Sequence, residues 1–330
     1  MLALVMVEPS QGTDRTELQE VGMPRPGPGE VTIDVAYAGI NFLDVMERRG
    51  EAGYVPAWPH HPGHEVAGTI RATGPGVDDL AVGQRVAALV DSGGLAEVAR
   101  ARAVLVVPVP DGVALPVAAA APLMLATAML LLTDAGRLRP GESVLVQSAG
   151  GGVGGALAQL VPILGGGPRI GTVGHAEKVA TARNSGYDLA FVRDGGLADA
   201  VRAAVPAGVD LVLDPLGTTM LDVDLAVAAP VGRIVLFGNA AGGEPGGLPA
   251  IRRLQGGNLA IAGFSISRLA ATAPRRVSSA LGRVLDLIAS GRLDVAVHQV
   301  GSLAEVSAVQ QRLADRRSEG KYVVRVSPAA

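Results

Sequence analysis

The apolar run Ser143–Gln147 passes directly into the glycine-rich stretch AGGGVGG, and Ala156–Leu164 continues it with a helix-like pattern. Glycines there let the chain turn tightly, and a helix starting after them aims free N–H groups at a pyrophosphate. Gly150, Gly152 and Gly155 match the spacing G-x-G-x-x-G. In a chain with 45 glycines such a match is weak alone, and its place between strand and helix is what gives it meaning. In NAD-preferring domains a carboxylate ~20 residues further on receives the ribose 2′-hydroxyl. Here the next strand, RIGTVG, ends at Gly174 with His175 beside it, and Lys178 and Arg193 follow. Two cations in place of a carboxylate point to a 2′-phosphate, hence to NADPH. The alternative is that both are ordinary solvated charges, with Glu177 available to pair with either.

A second group of chemically capable residues is His60, His61 and His64 in WPHHPGHE, with Glu65 and Asp44 nearby in sequence. Two histidines four apart with a carboxylate have usable zinc chemistry. The prolines and glycine among them remove helical ligand spacing, however, and histidine also serves as a loop hydrogen-bond partner. No metal is expected here. With no cysteine in the chain, disulfides, thiolate–metal sites and cysteine nucleophiles are excluded. LDPLG and VLFGN end two further strands, and ligands of open α/β sheets bind at such ends. Phe237 and Asn239 are therefore candidates for the nicotinamide end, or plain turn residues.

The elements that must position these groups fall into two textures. Up to about residue 122, short alternating strands such as EVTIDVAYAG and HEVAGTIRATG are separated by Gly and Pro, which suggests a small, partly open β-barrel. Residues 123–265 alternate strands (143–147, 169–173, 189–192, 210–213, 233–237, 259–264) with helices near 153–164, 177–185, 197–205 and 220–229. That pattern predicts a doubly wound, six-stranded parallel sheet of order 3-2-1-4-5-6. From 266 to 330, two amphipathic helices and the strand KYVVRV are expected to fold back onto the first domain.

A formal net charge of −3 leaves no basic excess for nucleic acid or acidic lipid. Val117–Leu132, broken by Pro122, falls short of the ~20 apolar residues a membrane span needs and reads as a buried helix. The first residues lack a signal-peptide pattern. A soluble, cytoplasmic protein with two cores is expected.

Taken together, AGINFLD (38–44), PGHEVAGTI (62–70), GVDDLAVGQRV (76–86), LRPGESVLVQSAGGGVG (138–154), GTVGHAEK (171–178), DPLG (214–217), LFGN (236–239) and GKYVVRV (320–326) resemble a known family. They are similar to the zinc-independent quinone oxidoreductases of the medium-chain dehydrogenase/reductase superfamily, with enoyl reductase domains of polyketide synthases as near relatives. The resemblance implies a GroES-like barrel domain followed by a Rossmann domain, NADPH as cofactor, and often a homodimer. It places cofactor contacts on Asn41, Thr127, Gly151, Gly152, Val153, Gly154, Lys178, Leu216, Phe237, Asn239, Phe264 and Arg316. Arg193, at the end of the next strand after the one tipped by Gly174, replaces a tyrosine that relatives often use near the 2′-phosphate. Zinc alcohol dehydrogenases carry a metal-binding cysteine where this chain has Asn41. Met46 stands where relatives commonly have tyrosine, and the loop 48–63 is differently decorated, so quinone specificity does not follow from likeness.

The chemistry this implies is hydride transfer to an electron-poor carbon of a quinone or an α,β-unsaturated carbonyl. Asn41 is the expected amide donor to the nicotinamide ribose or substrate carbonyl, and Asp44 the residue ordering its loop. Tyr54 is the side-chain proton donor or a loop anchor, with His60, His61 and solvent as other proton sources. Three activities remain open at this point: a quinone or enone reductase, an enoyl reductase-like tailoring enzyme on an acyl thioester, and a non-catalytic NADPH-binding protein.

Overall fold

The computed structural model describes residues 1–326. The chain divides into two compact units: Met1–Ala126 with the segment from Ser267 onward, and Thr127–Ile266.

The first unit opens with β1 (Leu2–Met6) and β2 (Thr16–Glu20), an antiparallel pair. The strands β3 (Glu30–Ile40), β4 (Glu65–Thr73), β5 (Arg85–Leu89), β6 (Val98–Arg102) and β7 (Val106–Pro108) follow. A short helix, α1 (Phe42–Arg48), separates β3 from β4. Val31, Ile33 and Val35 of β3 are buried, as the alternation requires, and pack with Val66, Ile70, Val86 and Leu95 in one core. Two register shifts between β3 and β4 curl the sheet so that β3 also pairs with β6.

Val117–Leu132 is buried throughout most of its length but is not one helix. It is built from α2 (Leu115–Ala118), a π-helical turn at Ala121–Leu125, α3 (Ala126–Leu130) and a second π-turn at Leu131–Ala135. Pro122 has no N–H for the helical ladder, and the register resets around it.

The second unit carries β8 (Val144–Val146), α4 (Gly152–Ile163), β9 (Arg169–Val173), α5 (Lys178–Asn184), β10 (Leu189–Val192), α6 (Leu197–Ala204), β11 (Val209–Asp214), α7 (Leu221–Val227), β12 (Ala228–Leu236), α8 (Ile251–Gly257) and β13 (Ala260–Gly263). Its six strands are parallel in the order β10-β9-β8-β11-β12-β13, the predicted 3-2-1-4-5-6 arrangement. Leu145, Ile170, Val212 and Ile234 from four adjacent strands share a core with Leu197, Val201, Leu221 and Leu225 from the helices. The carboxyl ends of β8, β9, β11 and β12 therefore lie side by side, the edge where such sheets bind ligands.

The chain then passes through α9 (Ile266–Thr272) and α10 (Pro274–Ala289) to β14 (Val297–Val300), α11 (Val306–Ala314) and β15 (Lys321–Arg325). β15 pairs antiparallel with β3, Tyr322 opposite Ile40, and parallel with β14. This brings the last strand of the chain against the strand that leads into α1. Helices α1, α8 and α9 and strand β14 had no clear periodic signal in the sequence. Among the described residues, no helix is long and apolar enough to cross a membrane.

Candidate active site

In the second unit, the chain leaves β8 through Gln147 and turns at Ser148, which takes a left-handed φ of 61°. Gly151 caps the twelve-residue helix α4. The first ladder bond of that turn runs from Gly155 N–H to Gly151 O at 2.9 Å, so the N–H groups of Gly152, Val153 and Gly154 precede the ladder. A Cβ on Gly154 would stand 2.6 Å from Ala149 O and 2.7 Å from Ser148 O, so no side chain fits there. A Cβ on Gly155 would meet nothing within 4 Å. The close-packing glycine is therefore Gly154, and Gly155 of the G-x-G-x-x-G spacing has room for a side chain.

Two cations frame this turn. A Cβ on Gly150 would have Lys178 Cδ as its neighbour at 4.0 Å, so the lysine stem lies over the glycine turn. A Cβ on Gly174, at the tip of β9, would lie 3.2 Å from Arg193 Nη2. The donor set suits a dinucleotide carrying an extra phosphate: unused helix N–H groups, glycine backbone without side chains above it, and two positive groups at the neighbouring tip.

Behind the strand tips runs a buried polar chain. Arg193 Nη1 donates to Thr172 O at 3.3 Å and to Thr172 Oγ1 at 3.2 Å. Thr172 Oγ1 donates to Gln147 Oε1, and Gln147 Nε2 donates to Asp224 Oδ1 at 2.8 Å. Asp224 and Asp214 act on each other's charge, so burial favours a proton on one of the two carboxyls. Burial, with little relief from neighbours, raises Asp214 to about 6. Burial and the Asp214 charge push Asp224 well above the ordinary carboxylate range. Asp214 Oδ1 accepts from Leu216 N–H at 2.6 Å, fixing the loop after β11. A Cβ on Gly217, whose φ is 81°, would strike Asn239 Oδ1 at 2.7 Å, so the tips of β11 and β12 meet across this glycine.

In the first unit, Asn41 ends β3 and precedes α1. Its Nδ2 donates to Glu65 Oε1 at 2.9 Å, and its Oδ1 accepts from Lys321 Nζ at 2.6 Å. Lys321 also donates to Ile40 O at 3.0 Å and to Glu65 Oε1, so all three ammonium hydrogens are used. Glu65 is fully buried, and its second oxygen accepts from Leu123 N–H at 2.7 Å. The break around Pro122 thus leaves an amide free to reach Glu65. A Cβ on Gly39 would stand 2.2 Å from Glu65 Oε1, so only glycine leaves room for that carboxylate.

Asp44 is fully buried, and its Oδ2 accepts from Asn41 N–H at 2.8 Å. Burial, then the charge of Glu47, lifts it to about 7. On the same helix Glu47 meets two histidines: Oε1 lies 2.7 Å from His64 Nε2 and 3.3 Å from His60 Nε2. Burial alone would lower His64, yet the hydrogen bond and charge of Glu47 raise it to about 9. Burial would raise Glu47, and the two histidines hold it below its usual value instead. Tyr54 is half-buried, and burial followed by the Glu51 charge raises its phenol.

The alcohol dehydrogenase GroES-like domain model matches residues 27–111, and the zinc-binding dehydrogenase model matches residues 185–324. The synaptic vesicle membrane protein VAT-1 homolog of Danio rerio is 30% identical over 332 residues, spanning 96% of this chain and 68% of that one. The chain belongs to the medium-chain dehydrogenase/reductase superfamily. Solved structures of quinone oxidoreductases lie close to this member. The Escherichia coli enzyme complexed with NADPH has a TM-score of 0.89 at 25% identity, covering 98% of this chain and 100% of that one. The enzyme of Pseudomonas syringae pv. tomato has a TM-score of 0.89 at 28% identity, with the same coverage of 98% and 100%.

In this dehydrogenase/reductase, Thr127 and Leu216 are buried, while Phe237, Asn239 and Phe264 are half-buried along the outer tips of β12 and β13. Arg316 is exposed, belongs to the first unit and has a left-handed φ of 59°. Sequence reasoning missed Glu65 and Lys321 as partners of Asn41. GKYVVRV was legible only as a strand, and the register of β15 on β3 is what delivers its lysine. It also missed Glu47, although Asp44 and Glu47 stand at the i, i+3 spacing of one helix face.

Proposed function

We propose that this protein is an NADPH-dependent oxidoreductase whose acceptor is a quinone or an α,β-unsaturated carbonyl, working as a homodimer. The observation that carries the reading is the placement of Lys178 over Gly150 and of Arg193 at Gly174. When bound, the nucleotide supplies the hydride. The N–H groups of Gly152, Val153 and Gly154 hold its diphosphate, and Lys178 and Arg193 hold the 2′-phosphate. Thr172 and Gln147 keep Arg193 in line, since its Nη1 is tied to both Thr172 oxygens.

On the barrel side, Lys321 and Glu65 grip both ends of the Asn41 amide and fix its rotamer. Asn41 in this reading orients the reacting groups, and Asp44 positions Asn41 through its main chain without touching substrate. Tyr54 Oη, protonated at neutral pH as an ordinary phenol is, donates the proton that completes reduction to an alcohol, phenol or enolate-derived product.

The test follows NADPH absorbance with benzoquinone-type acceptors, enones and enoyl thioesters. Oxidation with a quinone or enone is the expected result. Turnover confined to enoyl thioesters would move the protein to a tailoring role. Tight NADPH binding with no turnover of any acceptor would defeat the enzyme assignment. Light scattering after size exclusion checks the dimer.

A further inference from the structure

Helix α1 and the segment leading into β4 bring three potential metal ligands into one buried spot, with a fourth beside Glu47. Asp44, Glu47 and His64 each offer a ligand atom within 4.8 Å of the others. His60 joins them, its Nε2 3.3 Å from Glu47 Oε1. Relative exposures are 0% for Asp44, 2% for Glu47, 8% for His60 and 7% for His64. Asp44 Oδ1, Glu47 Oε2 and His60 Nε2 have no hydrogen-bond partner, an uncommon and costly state for buried polar atoms.

We propose that Asp44, Glu47, His60 and His64 bind one divalent transition-metal ion, zinc by ligand type. Two imidazoles with two carboxylates suit zinc, whereas magnesium and calcium favour all-oxygen cages. Ligand atoms around a tetrahedral zinc lie roughly 3.3 Å apart. The 2.7 and 3.3 Å separations around Glu47 Oε1 are near that spacing, whereas His60, outside the group whose ligand atoms all lie within 4.8 Å of one another, must swing inward to complete the set.

The supporting contacts are also in place. His64 turns Nε2 toward the cluster, 2.7 Å from Glu47 Oε1. Asp44 Oδ2 is engaged by Asn41 N–H, which leaves Oδ1. This set is distinct from a site at Asn41, whose amide is committed to Glu65 and Lys321. His61 takes no part in it. With His60 swung in, four protein ligands close the coordination sphere, so the ion ties α1 to the segment before β4 and leaves no open position for substrate. Glu47 and Asp44 both come from α1, so the set does not depend on ligand spacing within the histidine-rich loop.

The experiment uses untagged full-length protein stripped with chelator, then dialysed against Zn²⁺ or Co²⁺. About one zinc per chain is expected to survive gel filtration, and Co²⁺ is expected to give visible d–d bands of tetrahedral type. Glu47→Gln should weaken zinc binding by about 100-fold or more, and His60→Asn by at least about tenfold. His61→Asn should leave it unchanged. Because Glu47→Gln also removes the partner of His64, circular dichroism checks its fold, and His60→Asn, which loses only the longer 3.3 Å contact with Glu47, is the independent variant. Sub-stoichiometric zinc on the folded parent protein would overturn the proposal. So would binding that is undiminished in both variants. NADPH fluorescence titration on the same samples is expected to be indifferent to zinc, which separates failure here from failure of the nucleotide assignment.

Discussion

Lys321 Nζ lies 2.6 Å from Asn41 Oδ1, although 280 residues separate the two in sequence. The contact exists because β15 pairs with β3, and it ends in the fully buried carboxylate of Glu65. Breaking a buried ion pair from one side leaves an uncompensated charge, at a cost of about 3–5 kcal/mol. Lys321→Met and Glu65→Gln should each lower the denaturation midpoint accordingly. The double variant should lose less than the sum of the singles, as a denaturant-melt cycle would reveal. Additive losses would mean the two residues do not act as a pair.

For the 2′-phosphate, Lys178→Ala and Arg193→Ala should each weaken NADPH binding by roughly 10–100-fold, the loss of one charge-assisted contact. NADH affinity should hardly move. Fluorescence titration of both nucleotides decides it, and equal affinities in the parent protein would refute the assignment.

The register of the glycine turn gives a paired test. Gly154→Ala sets a Cβ 2.6 Å from a main-chain oxygen and should cost about 1–3 kcal/mol while impairing nucleotide binding. Gly155→Ala meets nothing within 4 Å and should be neutral, or stabilising by up to about 1 kcal/mol. Thermal melts and NADPH titrations of the two variants should diverge. Similar losses in both would show that Gly154 is not the glycine on which the close packing depends.

The carboxyl pair Asp214–Asp224 predicts a pH dependence. Both are raised in the folded state, Asp214 from 3.8 to about 6 and Asp224 further, so the native protein holds more protons than the unfolded chain. Their favourable contribution is complete below about pH 4 and is lost as pH rises through 6. Asp224→Asn keeps an acceptor for Gln147 and a donor for Asp214 without a titrating proton. It should flatten the decline and stabilise the protein at pH 8 by about 1–3 kcal/mol. Urea melts from pH 4 to pH 8 measure this, and an unchanged slope in the variant would show that the pair does not cause it.

Local patterning determined a good deal by itself. Strand–helix alternation after residue 123 specified the six-stranded sheet and its order, because a right-handed crossover leaves few topologies for that pattern. Glycines, with His175 where a carboxylate would sit and Lys178 beyond it, marked the phosphate end, since main-chain freedom and charge are written residue by residue.

Only tertiary structure decided which glycine packs against Ser148 and Ala149, which lysine holds Asn41, and that Glu47 faces His60 and His64. Each depends on strand register or on the placing of a seven-residue helix, set by contacts remote in sequence. Short elements such as α1 draw their stability from what they pack against, and no periodicity announces them. The chain's chemistry is therefore readable where one strand and one turn suffice, and hidden where distant segments must meet.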